Sequence, residues 1–91
     1  MTDIRYYDPF TDSEHIELAF LYVVSCGNAG IKPGSFLESL INLCFLADDN
    51  NLARLSHGFP VVIQCFRCYS IGLHKDQFPK LTEYIERKNH D

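Results

Sequence analysis

The segment 46–60, with the sequence LADDNNLARLSHGFP, constrains the fold of this chain more than any other stretch. Asp48 and Asp49 are residue types that cap the start of a helix. Gly58 is placed to end that short helix in a left-handed turn, and Pro60 is placed to begin the next helix. A chain that changes direction twice over fifteen residues is typical of a compact helical domain.

Further helix starts are marked on both sides of this segment. Thr11 and Glu14 fit a capping box ahead of a first helix, and Ser35 and Glu38 fit another ahead of a second helix. Pro79 follows a phenylalanine in the same way as the earlier proline, which predicts a fifth helix start. Apolar residues recur at helical spacing after each of these signals.

The length and composition of the chain suit one small domain with a single core. It has 91 residues, of which 46% are hydrophobic. We therefore predict an all-α fold, a compact single-domain bundle of four to five short helices over residues 1–91. Residues 1–11 are expected to form an extended N-terminal arm lying partly across the helices, because Tyr6, Tyr7 and Phe10 are too apolar for a free tail.

The charges argue against a nucleic-acid-binding protein. The net charge is −4, with six acidic and two basic residues in 1–45 and six of each in 46–91. The chain therefore lacks the cluster of basic residues that binding to phosphates requires.

The amino-terminal segment lacks the pattern of a signal peptide, and the longest apolar run, Leu18–Val24, is too short to span a membrane. We expect a cytoplasmic protein with reduced cysteines.

Cys65 and Cys68 form a C-x-x-C pair, the arrangement in this chain most suggestive of chemistry. Such a pair binds zinc or acts as a redox dithiol. Zinc needs two more ligands, and the nearby donors His57 and His74 stand at a spacing that matches no common site. A redox pair needs its first cysteine near a helix start, but Cys65 falls inside the predicted helix. We interpret both as buried structural cysteines, and the alternative is a zinc-binding or nucleic-acid-linked regulator that uses this pair.

The remaining polar clusters do not predict catalysis. Counting from Asp48, a calcium loop of the EF-hand type needs glycine at its sixth position and an acid at its twelfth, where this chain has Ala53 and Phe59. Cys26 and Cys44 have no neighbouring base to activate a thiol nucleophile. We expect no enzyme activity, no catalytic residue and no cofactor.

One segment resembles a known group of proteins. The pattern A-D-x-x-N-x-x-x-L-x-x-G-F-P-x-x-I begins at Ala47, and the similar segment covers residues 47–69. It resembles small uncharacterised phage and prophage helical proteins, in which such a segment lies near the carboxyl end. The resemblance implies a mobile-element origin and no activity. Cys65 and Cys68 stand where those proteins more often have alanine or polar residues, so no functional site is transferred.

The predicted helices contain more apolar residues than a small core can cover. The segments Leu18–Val24 and Leu37–Leu46 are apolar on nearly every side, and an exposed remainder would mark an interface. The buried face of the second helix is expected to comprise Phe36, Leu37, Leu40, Ile41, Cys44 and Phe45.

The candidate partner-binding residues are Tyr6, Tyr7, Phe10 and Tyr22. Aromatic side chains are favoured anchors of protein interfaces, although the alternative, that these residues pack as core, stays open. We predict a small cytosolic protein–protein interaction module without catalytic activity, plausible as a phage or mobile-element accessory or inhibitor protein. Its partner is expected to be a host protein or a second copy of the chain.

Overall fold

The computed structural model describes residues 7–90, apart from the side chain of His90, and this range contains five α-helices and no β-strand. A short 3-10 helix, Pro9–Thr11, precedes them. The helices are α1 (Ser13–Val24), α2 (Ser35–Leu46), α3 (Asp49–Gly58), α4 (Pro60–Ile71) and α5 (Pro79–His90). The predicted all-α, single-domain bundle is confirmed.

Helices α1 and α4 form the centre of the bundle. Helix α1 packs against α2, α4 and α5, and α4 also contacts α2, α3 and α5. The ring of Phe20 lies at this centre, with its centroid 5.5 Å from that of Tyr69 and 5.8 Å from that of Phe45. Side chains with no exposed surface include Ile16, Phe20, Ile41, Cys44, Val62, Cys65, Phe78 and Leu81.

Several helix boundaries lie where the sequence places them. The Asp48 carboxylate accepts a hydrogen bond of 2.9 Å from the Asn51 backbone N–H and caps α3. Pro60 and Pro79 are the first residues of α4 and α5. Gly72 ends α4 with a φ of +75°, a conformation that glycine adopts without a steric cost.

The two predicted capping boxes are wrong. Helix α1 is capped by Asp12, whose carboxylate accepts from the N–H groups of Glu14 and His15, while the Thr11 hydroxyl donates to a backbone carbonyl in the preceding turn. Aspartate is a stronger cap than threonine, so it takes this position. Helix α2 begins after Gly34, with no side-chain cap.

Two further expectations need correction. Gly58 is the last residue of α3 and has no positive φ; the chain leaves the helix at Phe59, because Pro60 disfavours a helical conformation in the residue before it. The expected extended arm 1–11 is described only from Tyr7, and its last three residues form the 3-10 helix.

A buried carboxylate joins α1 to α5. Glu17 is only 3% exposed, and its Oε2 atom accepts a hydrogen bond of 2.9 Å from the Leu81 backbone N–H in the first turn of α5. This bond satisfies one of the free N–H groups at the helix start. At the surface beside it, Lys80 pairs with Glu14 at 3.3 Å, so α5 is held on α1 by its first turn.

Candidate interaction surface

The largest apolar exposure of the described residues is on α2. This helix carries four of the eight large apolar side chains that are exposed, whereas α1 carries none of them and α4 carries only Ile71, at its last residue. Phe36, Leu43 and Leu46 are 60%, 45% and 83% exposed and lie on one face, because their spacing returns to the same side of a helix. Phe45 lies on the other flank of α2, with its ring edge-on to that of Phe66.

A groove borders this face of α2. It lies between α2 and α3 and has a volume of about 330 Å³. Its lining residues are Leu43, Leu46, Ala47, Asn51, Arg54 and Leu55. The Arg54 guanidinium donates a hydrogen bond of 3.2 Å to the Asn51 side-chain oxygen, and both residues are exposed, so these polar groups border the groove. We refer to Phe36, Leu43 and Leu46 together with this groove as the α2–α3 face.

Three aromatic rings support one end of the α2–α3 face. The centroid of Phe36 lies 5.7 Å from that of Phe10 and 6.0 Å from that of Phe59, and the last two are 5.3 Å apart. These edge-on and tilted contacts are favourable arrangements for aromatic pairs. They fix the Phe36 ring in place while most of its surface stays open.

Tyr7 and Tyr22, two of the residues predicted to bind a partner, do not lie in one site. Tyr7 is exposed, and its hydroxyl donates a 2.9 Å hydrogen bond to Asp12, which raises the pKa of the Tyr7 phenol and lowers that of the Asp12 carboxyl. Tyr22 is half-buried near the other end of α1, about 14 Å further along the helix axis. Phe10 is half-buried beneath the α2–α3 face, and Tyr6 lies outside the described residues.

The C-x-x-C cysteines are buried within α4. Cys65 is 0% exposed and Cys68 is 2% exposed, and the Cys68 sulfur lies 3.6 Å from the Thr82 hydroxyl oxygen. Burial raises the pKa of the Cys65 thiol far above its ordinary value, and it raises the pKa of the Cys44 thiol to about 11. These environments disfavour the thiolate, the form that binds metals and attacks electrophiles.

The candidate histidine ligands lie on the surface. His57 is exposed near the end of α3, and His74 is exposed in the α4–α5 loop with a φ of +60°. Among the described side chains, which end at residue 89, no group of three or more His, Cys, Asp or Glu is arranged to hold a metal ion. The structure therefore supplies no geometric support for a zinc site that combines these residues with Cys65 and Cys68.

We expect one of the four thiols to react in the native protein. Cys26 is exposed, whereas Cys44, Cys65 and Cys68 are buried, so Ellman's reagent should modify one thiol per chain at about pH 8. All four should react in denaturant. The variant Cys26→Ser should show no fast native reaction and three reactive thiols after unfolding. Fast native modification of a second thiol would contradict the described burial.

No helix within residues 7–90 has the length and apolar character needed to cross a membrane. Comparisons of the chain with protein-family models, curated proteins and solved structures gave no match.

The sequence predicted that some apolar surface is exposed, but it did not identify correctly which residues of the second helix form that surface. Phe36 and Phe45 were expected within the buried face of the second helix, yet both are exposed. The fully inward-facing residues of α2 are Leu37, Leu40, Ile41 and Cys44, which cover a narrower arc. A projection of α2 around its axis separates this arc from Phe36, Leu43 and Leu46, and that separation is the signal that could have located the face.

Proposed function

We propose that this chain is a small cytosolic protein–protein interaction module that acts through the α2–α3 face and has no catalytic activity. It would serve as an accessory or inhibitor protein of a phage or mobile element. The observation that supports this function is the concentration of exposed Phe36, Leu43 and Leu46 beside an apolar groove. The resemblance of residues 47–69 to phage and prophage proteins supports the suggested biological setting.

The free energy that a partner could gain at this face is large for so small a protein. Complete burial of a leucine or phenylalanine side chain contributes about 1.5–3 kcal/mol. Leu46 keeps 83% of its surface exposed and Phe36 keeps 60%, so most of that contribution is still available to a bound partner. Apolar anchors next to a groove with a polar rim are typical of protein interfaces.

Protein binding is better supported than the alternative of metal binding. Leu43 and Leu46 are open to a partner, whereas the thiols of Cys65 and Cys68 are buried in the core and the candidate ligands His57 and His74 are exposed. The predicted module also needs no reactive group, because its proposed action is to occupy the surface of another protein.

Leu46→Arg is expected to reduce partner capture by at least about tenfold, since it places a charge at the centre of an apolar interface. The measurement is quantitative mass spectrometry of proteins retained by the immobilised chain from a bacterial lysate to which isotope-labelled free chain has been added, so that capture of a host protein and capture of a second copy are both counted. Leu73→Arg is the matched control, because Leu73 is 45% exposed but lies in the α4–α5 loop.

Proteins retained by the wild type and by Leu73→Arg, but lost with Leu46→Arg, would support binding at the α2–α3 face. Retention of the same proteins in equal amounts by all three chains would overturn the proposed function. Far-ultraviolet circular dichroism must show the same helix content in each variant. Leu46 is largely solvated, so the substitution should not unfold the bundle.

A further inference from the structure

We infer that the partner seated on the α2–α3 face is a second copy of this chain, bound through a two-fold axis with the two α2 helices antiparallel. The inference rests on the proposed function, because it assigns a partner to the same face. In such an arrangement each copy presents the same surface to the other, so the surface must be complementary to itself.

The α2–α3 face carries both a projecting ring and a groove that can receive it. Phe36 projects near the start of α2, and the groove lies beside Leu46 and Ala47 at its end, about 15 Å further along the axis. Antiparallel pairing that sets Phe36 opposite Leu46 of the partner brings each ring over the other copy's groove. The groove volume of about 330 Å³ has room for a phenyl ring.

The side chains in the middle of the two α2 helices are also complementary in the antiparallel arrangement. Phe36, Ser39, Leu43 and Leu46 form one stripe along α2, separated by three, four and three residues. When Phe36 opposes Leu46 of the partner, Ser39 opposes Leu43. Small, exposed Ser39 then faces large Leu43 at the two symmetry-related contacts in the middle of the pair, which allows the two helices to approach closely there.

The charges at the two ends of α2 favour the antiparallel arrangement. Lys32 is exposed just before the helix, and Asp48 and Asp49 are exposed just after it. Antiparallel pairing sets each lysine near the two aspartates of the other copy. Parallel pairing would instead set aspartates against aspartates and lysine against lysine. The helix dipoles are also opposed in the antiparallel arrangement, which is favourable.

A dimer of standard size would use a small part of the surface of this chain. A stable interface buries about 800 Å² on each partner, which is about one eighth of the 6167 Å² exposed by the chain. The stripe on α2 extends over a helix of 12 residues, about 18 Å, and the groove widens it toward α3.

The first test is the mass in solution, measured by size-exclusion chromatography with light scattering at concentrations between about 1 μM and 1 mM. The wild type and Leu73→Arg should reach twice the 10.5 kDa mass of one chain. Leu46→Arg should stay at the mass of one chain, with unchanged circular dichroism. A wild-type monomer over the whole range, or a dimer that persists in Leu46→Arg, would overturn the inference.

A charge exchange tests the orientation. Lys32→Glu should weaken the dimer by at least about tenfold, because each copy then sets an acid against the partner's aspartates. Adding Asp49→Lys to that variant should recover about half of the lost binding free energy, because the introduced acid then faces one lysine and the remaining Asp48 of the other copy. An equal loss in the double variant would contradict antiparallel pairing. Each variant must keep the wild-type helix content, because a lysine in the first turn of α3 opposes its dipole.

Failure of the dimer and failure of the proposed function give different results. If the wild type is monomeric but still captures a lysate protein through Leu46, the dimer is refuted and the proposed interaction function is supported. If the chain neither self-associates nor captures a protein through Leu46, both the dimer and the proposed interaction function are refuted.

Discussion

Phe20→Ala is expected to lower the free energy of unfolding by about 4 kcal/mol, the typical cost of removing a buried phenylalanine ring. Phe20 is 0% exposed and contacts aromatic rings from two other helices, Phe45 on α2 and Phe66 on α4. A domain of this length has a total stability of only about 5–14 kcal/mol. The variant should therefore lose a large part of its stability, measurable by urea unfolding followed by circular dichroism.

Phe45→Ala is the matched control for this substitution. It removes the same side chain from the same aromatic cluster, but Phe45 is 47% exposed, so its loss should cost about 2 kcal/mol or less. All samples should be compared at one protein concentration, because self-association adds to the apparent stability. Equal losses in the two variants would contradict the position of Phe20 at the centre of the core.

Gly30→Ala is expected to cost about 3 kcal/mol of stability. Gly30 has a φ of +76°, which costs an L-residue about 1–2 kcal/mol. A Cβ atom there would also lie 2.1 Å from the Leu18 carbonyl oxygen and 2.6 Å from the Tyr22 backbone nitrogen. The loop would have to move away from α1 and would lose the 3.1 Å hydrogen bond from the Ile31 N–H to the Leu18 oxygen.

Gly34→Ala provides the comparison for the loop substitution. Gly34 lies four residues further along the same connection, has a φ of −66°, and has no atom within 4 Å of an added Cβ. Its replacement should change the stability by less than about 1 kcal/mol. Urea midpoints that coincide for the two variants would show that the loop does not pack against α1 as described.

The helices themselves could be predicted because their signals are local. Pro60 and Pro79 begin helices by virtue of their own fixed geometry, and Gly72 ends one because it adopts a positive φ freely. The capping residue was harder to predict where several residues of capping type are adjacent in the sequence. Asp12 prevails over its neighbour Thr11 as the cap of α1, which agrees with the stronger capping preference of aspartate.

The contacts that depend on distant residues could not be predicted. Glu17 and Leu81 are 64 residues apart, and nothing near Glu17 in the sequence indicates that its carboxylate caps α5. The α2–α3 face was missed in part for the same reason. Whether Phe36 and Leu43 are covered depends on where α3 and the 3-10 helix lie, and an apolar helix pattern does not contain that information.

The most direct test of the α2–α3 face as the site of self-association is an intermolecular nuclear Overhauser measurement on a mixture of isotope-labelled and unlabelled chains. Cross-peaks are expected from the Phe36 ring of one copy to the Leu46 methyl groups of the other. A dimer that lacks these cross-peaks, or that shows them instead from Ile71 or Leu73, would contradict the assignment of this face.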